Sequence, residues 1–284
     1  MSQKLTTSDH DRDVAGLRYV YPVISRRAGG LSIGINFNTN NACNWRCVYC
    51  QVPDLVRGSA PELDFLLLEK ELRFFLQQLV SGDFYRQFNV PEQQRVIKDI
   101  AISGNGEPTS LKDFDKAVKL IGDIATELKV LPDCDFVLIT NGSLIHQVRV
   151  QAGLQMLNQY KGQVWFKLDS ATDTGRLKIN DCKQGTEKTL ENLKISSGLC
   201  ETSLQTCLLD YLEVSEAEVE RRAYFELLKK IKYSDIKIKK VMLYSVARPS
   251  LQPEAGKIHK INTEQMKPFA EKLRTLGYVV STSA

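Results

Sequence analysis

The chain has 284 residues, a length that suits one large domain or two small ones. Apolar residues make up 43% and charged residues 25%, as in globular proteins with a buried core. The net charge of +4 is too small to predict a nucleic-acid partner by itself. The polar N-terminus lacks the apolar stretch of a signal peptide, and no apolar run approaches the roughly 20 residues that span a bilayer. We therefore expect a cytoplasmic protein with no membrane contact and a single domain over residues 1–284, in which 1–18 form a flexible N-terminal segment.

Short β-branched apolar runs alternate with longer amphipathic runs along the chain. The predicted strands are Leu31–Phe37, Val96–Ser103, Asp135–Thr140, Val164–Leu168, Ser203–Leu209 and Ile236–Ser245. The predicted helices are Pro61–Val80, Leu111–Leu128, Ile145–Asn158, Thr186–Leu193, Ser215–Ile231 and Thr263–Leu276. Ser215 with Glu218 is typical of a capping box, and Thr263 is a plausible N-cap without a box.

Six strand–helix units in strict alternation predict a parallel sheet with right-handed crossovers. A full eight-fold barrel typically needs about 250 residues, and only six strands are predicted here. We therefore predict an α/β fold, a partial (βα)6 TIM-like barrel with parallel strands and outer helices. A doubly wound open sheet is the alternative. In both architectures the functional residues are expected at the C-terminal ends of the strands.

Three of the seven cysteines form the cluster Cys43, Cys47 and Cys50, with the spacing C-x3-C-x2-C straight after the first predicted strand. An odd cysteine count without an export signal argues against a disulfide framework. Thiolates select iron–sulfur clusters, zinc or copper(I), whereas a structural zinc site uses four ligands and a ferredoxin cluster four thiolates in a different run. Three thiolates on a cubane leave one iron open, and the amino and carboxylate groups of S-adenosylmethionine suit it.

The cysteine spacing resembles the C-x3-C-x-aromatic-C signature of the radical S-adenosylmethionine (radical SAM) superfamily, with Tyr49 at the aromatic position. The resemblance implies a [4Fe-4S] cluster on Cys43, Cys47 and Cys50 and an enzyme that cleaves S-adenosylmethionine reductively to a 5′-deoxyadenosyl radical. It also implies that Tyr49 lies near the adenine of that cofactor. On spacing alone, a chance match or a zinc site is the alternative.

A glycine-rich turn, Gly104-Asn105-Gly106-Glu107, follows the second predicted strand. It resembles the Gly-Gly-Glu element with which the superfamily binds the methionyl amino group, and it departs from that element at Asn105. The resemblance implies cofactor-binding roles for Gly104, Gly106 and Glu107. The alternative is a simple glycine-rich βα turn without a ligand.

Polar residues also follow the third and fourth predicted strands. Asn141 is expected to point toward the cofactor end of the barrel, although Asn-Gly also favours a simple turn. Period two places Lys167 and Asp169 on one face near a strand end, where a buried charge must be paired or bind a ligand. The resemblance implies contacts with the ribose and carboxylate of S-adenosylmethionine there, and a structural Lys–Asp pair is the alternative. The substrate-side candidates come from the later strand ends: Gln205, Cys207, Asp210 and Arg248.

The segment Ser25–Asn36, running into the cysteine motif, resembles a subgroup related to tRNA wyosine-synthesising radical enzymes. Wyosine-forming members carry a second cluster on extra cysteines ahead of the motif, and no cysteine precedes Cys43 here. RNA base modification is therefore the leading hypothesis for the substrate, with an RNA partner. The alternatives are glycyl-radical activation, chemistry on a small metabolite, and a non-enzymatic iron–sulfur or zinc module that carries electrons. The family also implies an electron donor such as flavodoxin or ferredoxin.

Overall fold

The computed structural model describes residues 16–25 and 30–284. Most of the predicted N-terminal segment and residues 26–29 of the wyosine-like segment therefore lie outside the described residues. Within the described ranges, no helix has both the length and the apolar character that crossing a bilayer requires.

A curled eight-stranded sheet forms the framework of the described chain. From one edge to the other, its strands are β1 Val20–Ser25, β2 Gly30–Ile35, β5 Ile97–Ile102, β6 Asp135–Thr140, β7 Gln163–Lys167, β8 Glu201–Cys207, β10 Val241–Tyr244 and β12 Val280–Ser283. Every neighbouring pair is parallel except β1 with β2. The partial TIM-like barrel with parallel strands is thus confirmed, with one antiparallel edge.

Eight α-helices, three short 3-10 helices and two small two-stranded sheets complete the described part of the chain. The helices are α1 Phe65–Val80, α2 Asp83–Gln87, α3 Phe114–Glu127, α4 Val148–Gln159, α5 Asp173–Asn180, α6 Thr186–Leu199, α7 Val214–Lys232 and α8 Thr263–Arg274. The small sheets pair β3 Ala42–Cys43 with β4 Val56–Arg57, and β9 Leu209–Asp210 with β11 His259–Lys260.

The strands alternate between an outer and an inner face. On β2, Leu31, Ile33 and Ile35 are buried in the main apolar core, whereas Ser32 and Gly34 line a cavity on the opposite face. A parallel barrel normally fills its interior with apolar side chains. Small and polar residues on the inner face therefore leave room for a ligand.

The sequence prediction missed several elements, among them β1, β12 and α5. Strand β1 contains Pro22, which lacks a ladder donor and is tolerated because the strand lies at a sheet edge. Strand β12 is only four residues long. Helix α5 is capped by Thr172, whose side chain accepts a hydrogen bond from Gly175 N. Its sequence has too few apolar residues to form an apolar stripe.

The predicted helix starts differ from those of the structure by up to four residues, and the last predicted strand was too long. The capping box of α7 joins Glu213 and Glu216 rather than Ser215 and Glu218. Helix α8 is capped by Asn262, whose box is completed by Gln265. In both boxes a side chain accepts a hydrogen bond from the N3 backbone amide. The strand predicted from residue 236 begins only at Val241.

Candidate active site

The cysteine loop, residues 41–58, leaves the C-terminal end of β2 and folds back on itself. Its two ends pair in parallel as β3 and β4, and Gly58 N donates to Cys43 O at 3.1 Å. Within the loop, Cys50 N donates to Cys47 O at 2.9 Å. The loop is therefore a closed, hydrogen-bonded unit at the edge of the sheet where catalytic loops of barrels lie.

The three thiols of the loop are half-buried and form no disulfide. Burial raises the pKa of Cys43 to about 12, although a hydrogen bond from Trp45 N opposes the rise, and the nearby charges of Cys47 and Cys50 raise it further. Burial likewise raises the pKa of Cys47 to about 11. A thiol within electrostatic reach of two others becomes a thiolate only when a cation or a metal cluster compensates the charge.

The three thiols have the ligand chemistry that an iron–sulfur cluster requires. Among the described residues, no three His, Cys, Asp or Glu side chains converge on one metal position. A cubane binds each thiolate to a different iron, so its ligands need not converge. Two N–H groups also point at the sulfurs, Trp45 N at 3.5 Å from Cys43 Sγ and Asn180 Nδ2 at 3.2 Å from Cys47 Sγ. Such donors are typical of iron–sulfur ligands.

Two distant segments hold the cysteine loop in place. The end of α5 accepts two backbone hydrogen bonds, from Arg46 N to Asn180 O at 3.2 Å and from Val48 N to Ile179 O at 2.9 Å. The Arg46 guanidinium also donates to both carboxylate oxygens of Glu254, at 2.8 and 2.9 Å. A bidentate pair of this kind fixes geometry as well as adding energy.

The segment that follows β10 contacts the last cysteine. Leu251 N donates to Cys50 O at 2.9 Å, and Ser250 Oγ donates to Val48 O at 2.6 Å. Gln51 Nε2 donates to Arg248 O at 2.8 Å. Arg248, a substrate-side candidate, thus lies against the cysteine loop. The cysteine loop, α5 and this segment consequently form one connected unit.

The glycine-rich turn packs closely against the cysteine loop. A Cβ atom on Gly106 would lie 1.9 Å from Ala42 O, and one on Gly104 would lie 2.2 Å from Asn36 Oδ1. Real Cβ atoms do not approach so closely, so glycine is required at both positions. Asn105 N donates to Asn36 Oδ1 at 3.0 Å, which holds the turn on the end of β2.

Glu107 points into the protein. Its Oε1 accepts hydrogen bonds from Thr109 N at 3.1 Å and from the hydroxyls of Thr109 and Thr140 at 2.6 Å each, and its Oε2 accepts from Asn141 N at 2.7 Å. Burial raises its pKa in spite of these hydrogen bonds. Glu107 is therefore placed as the link between the loops that follow β5 and β6.

Asn141 links the same loops to the cysteine loop. Its Nδ2 donates to Asn44 Oδ1 at 2.8 Å, and its Oδ1 accepts from Ser143 N at 3.0 Å and from Ser143 Oγ at 2.7 Å. Asn44 in turn donates to Ser143 Oγ at 2.7 Å. All the polar atoms of the Asn141 side chain consequently have partners within the chain.

Lys167 and Asp169 form an ion pair, with 3.8 Å between Nζ and Oδ2. A structural pair of this kind was the alternative to cofactor contacts in the sequence analysis. The Lys167 ammonium donates to Tyr244 Oη at 3.1 Å and lies 4.8 Å from the ring centroid of Tyr49. Burial opposes its charged form, yet the charges of Asp169 and neighbouring groups raise its pKa well above the usual value. Lys167 is thus held as a cation against an aromatic wall.

The Asp169 carboxylate is fully buried and ties three parts of the chain together. Its Oδ2 accepts hydrogen bonds from Tyr49 Oη and, at 2.8 Å, from Asn180 Nδ2. Its Oδ1 accepts from Cys207 N at 2.9 Å. Cys207, another substrate-side candidate, is buried, and Asp210 lies on the short strand β9 with its side chain exposed.

A cavity of about 740 Å³ opens beside the cysteine loop and runs into the barrel along the inner face of the sheet. Of the predicted cysteine ligands Cys50 lines it, and of the predicted cofactor residues Tyr49, Gly104 and Lys167 do. The remaining predicted cofactor residues do not line it: Gly106, Glu107, Asn141 and Asp169. The substrate-side candidates Gln205 and Arg248 line the same cavity, as do Trp165 and Tyr244.

Sequence reasoning missed three groups that hold the site. Asn180 contacts Cys47, the pair of Arg46 with Glu254 spans the loop, and Ser32 donates to Asp99 on the cavity wall. Asn180 and Glu254 lie in polar segments without a motif, so no local signal identifies them. The alternation of Ser32 with apolar neighbours on β2 was the one available signal.

Comparison with known proteins gives a family match and several fold matches. Residues 37–223 match the protein-family model "Radical SAM superfamily". The chain is 26% identical to "GTP 3′,8-cyclase" of Campylobacter lari over 214 residues, which cover 72% of this chain and 58% of that protein. The first three curated relatives are matched over only 17%, 33% and 58% of their own lengths.

Two solved structures share the fold at low identity. "Structure of TYW1 with a lysine-pyruvate adduct bound" has a TM-score of 0.57 at 17% identity, covering 86% of this chain and 73% of that one. A radical SAM methyltransferase from Sphaerobacter thermophilus has a TM-score of 0.58 at 13% identity, covering 95% of this chain and 70% of that one. The half-barrel architecture is therefore shared across this group.

Proposed function

The chain belongs to the radical SAM superfamily and is a radical SAM enzyme, and from this premise we propose that its cysteine loop and the cavity beside it perform reductive cleavage of S-adenosylmethionine. The placement of three thiols at the C-terminal edge of the sheet, with Cys50 on the wall of that cavity, carries the proposal. The electron-carrier alternative has no use for an interior cavity of this kind. When bound, the [4Fe-4S] cluster supplies the electron that breaks the carbon–sulfur bond and releases a 5′-deoxyadenosyl radical.

Cys43, Cys47 and Cys50 would hold the cluster, and the remaining site residues divide into two groups. Tyr49, Gly104 and Lys167 line the cavity and would contact the cofactor directly. The Lys167 ammonium would bind the carboxylate of the cofactor, because it is a cation on the cavity wall. The ring of Tyr49 and the carboxylate of Asp169 hold it in place.

The second group of predicted cofactor residues would act from behind the cavity wall. Glu107 and Asn141 hold the glycine-rich turn and the cysteine loop in register, and Gly106 permits their close approach. Asp169 keeps Lys167 charged and orients Tyr49. Rigid support of this kind positions a cofactor without touching it.

A base of RNA is the leading substrate class. The cavity wall carries Tyr49, Trp165 and Tyr244, and unstacked bases are bound by aromatic side chains. The resemblance of the segment Ser25–Asn36 and of the cysteine motif to wyosine-type enzymes supports the same class. An external one-electron donor such as flavodoxin or ferredoxin would reduce the cluster.

A small purine nucleotide is the second candidate. The similarity to GTP 3′,8-cyclases over 72% of the chain favours it, since those proteins act on GTP. A cavity inside the barrel also suits a small molecule that binds whole. The two candidates differ in size: an RNA base is part of a long polymer that stays outside the cavity, whereas a nucleotide enters the cavity whole.

The first test is anaerobic reconstitution with iron and sulfide, followed by dithionite and S-adenosylmethionine, with 5′-deoxyadenosine measured by chromatography. We expect Cys47→Ala to lose the cluster and to lower product formation at least about 100-fold, because an iron without its thiolate is not retained. Cys134→Ala is the matched control, since Cys134 is a partly buried thiol outside the loop, and it should retain both iron and product. A wild-type protein that holds four irons but makes no product, with or without the substrates below, would contradict the proposal.

The substrate is tested by adding bulk tRNA or GTP to the active enzyme. Stimulated cleavage with tRNA, and incorporation of substrate deuterium into 5′-deoxyadenosine, would support the RNA hypothesis. The same stimulation by GTP alone would favour the small nucleotide instead.

A further inference from the structure

The side chain of Asn180 lies between a proposed cluster ligand and a buried carboxylate. Its Nδ2 is 3.2 Å from Cys47 Sγ and 2.8 Å from Asp169 Oδ2. The residue is completely buried, and it is the last residue of α5. Both N–H bonds of the amide are therefore used, one toward sulfur and one toward oxygen.

The orientation of this amide is determined by its neighbours. An ionised carboxylate only accepts hydrogen bonds, so the amide must turn its nitrogen, not its oxygen, toward Asp169. The same nitrogen then faces Cys47. Asn180 Oδ1 has no hydrogen-bond partner among the described residues. A flipped amide would place two acceptors against each other and lose both contacts.

The backbone keeps the donor and the sulfur together. Asn180 O accepts from Arg46 N, and Ile179 O accepts from Val48 N, so the two residues that flank Cys47 are both bound to the end of α5. The Arg46 side chain adds a contact of 3.2 Å to Asp181. The distance between Asn180 and Cys47 is thus set by a rigid connection between two segments.

A hydrogen bond to a ligand sulfur changes the electron affinity of an iron–sulfur cluster. The donor withdraws charge from the sulfur and stabilises the reduced cluster, which carries one more negative charge. The effect is larger in a site that water does not reach. Cys47 accepts this bond from a completely buried donor.

Building on the function proposed above, we propose that Asn180 is a positioning residue that raises the reduction potential of the cluster through its hydrogen bond to Cys47. It acts on the cluster through the cysteine, and it needs no contact with S-adenosylmethionine or substrate. Asp169 contributes by holding the amide in the donating orientation.

The test is a redox titration of the reconstituted cluster, followed by electron paramagnetic resonance without S-adenosylmethionine. Asn180→Leu keeps the size of the side chain and removes the donor, so the midpoint potential should shift to a more negative value. Asn192→Leu is the matched control. Asn192 is also completely buried with an unpartnered Oδ1 among the described residues, but its Nδ2 donates to the carbonyls of Gly142 and Ser143 and not to a cysteine. It should keep the wild-type potential.

Asn180→Ala provides a second measurement if the leucine variant does not fold. It removes the donor to Cys47 without adding an acidic group beside Asp169, so its potential should also be more negative. A wild-type potential in either Asn180 variant that retains its cluster overturns the proposal. Loss of the cluster from both variants assigns Asn180 a structural role and overturns it as well. A wild-type protein that takes up no cluster would instead refute the proposed function.

Discussion

Two buried carboxylates lie at the C-terminal edge of the sheet, and their surroundings differ. Glu107 receives its hydrogen bonds from Thr109 in the loop after β5, from Thr140 at the end of β6 and from Asn141 in the loop that follows. Hydroxyl and amide donors alone satisfy it. It therefore joins two neighbouring loops of the same half of the barrel.

Asp169 is placed in the other half and joins distant segments. Its partners Tyr49, Asn180 and Cys207 come from the cysteine loop, α5 and β8, and the Lys167 ammonium lies 3.8 Å away. A cation faces this carboxylate, whereas the hydrogen-bond partners of Glu107 are neutral. The comparison teaches that an acidic residue at a strand end is not by itself evidence of ligand contact.

The largest difference is expected from Asp169→Asn. The amide removes the negative charge but leaves the buried Lys167 cation, and breaking one side of a buried pair costs about 3 kcal/mol. Urea unfolding of the cluster-free protein measures this cost. A loss no greater than that of Glu107→Gln would break the comparison between the two carboxylates.

The next effect is expected from Gly106→Ala, at about 2 kcal/mol of lost stability. The added Cβ would lie 1.9 Å from Ala42 O, so the turn of Glu107 must move away from the cysteine loop. Iron content after reconstitution should fall together with the unfolding midpoint. Gly256→Ala is the control, because no heavy atom of the described residues lies within 4 Å of the place its Cβ would take, and it should match wild type in both measurements.

Glu107→Gln should cost less, about 1 kcal/mol. It relieves the desolvation of a buried charge, and one carbonyl oxygen remains to accept from Thr109 or Asn141. The same urea unfolding series gives the result. A loss above that of Asp169→Asn would contradict the expected order of the two effects.

The smallest expected effect is a dependence of the unfolding free energy on pH, caused by the buried Glu107 carboxylate. Because burial raises the pKa of Glu107 above its usual 4.5, the folded protein holds this proton at pH values where the unfolded chain has released it. Rising pH therefore favours unfolding in the window that starts near 4.5 and ends at the higher folded pKa. Wild type should lose stability relative to Glu107→Gln as the pH rises through this window. Unfolding free energies of the two proteins that keep a constant difference from about pH 4 upward would contradict it.

Much of the fold was available from local patterns. Short apolar runs such as those of β2 and β6, which alternate with amphipathic runs along the chain, predicted the partial barrel, because each pattern is a property of a few consecutive residues. Strand β1 and helix α5 were missed because Pro22 and a polar composition conceal them. Their formation depends on the edge position of β1 and on the capping and packing of α5, which are tertiary features.

The sequence by itself determined the cysteine spacing, the positions of six of the strands along the chain and the strand ends at which polar residues would meet. These features are local, since spacing along a loop or a strand sets them. Only the tertiary structure decided that Glu107 and Asn141 point into the protein, that Lys167 faces the cavity, and that Asn180 and Glu254 hold the cysteine loop. Arg46 and Glu254 are separated by 208 residues, and contacts at that separation follow from packing and not from any pattern along the chain.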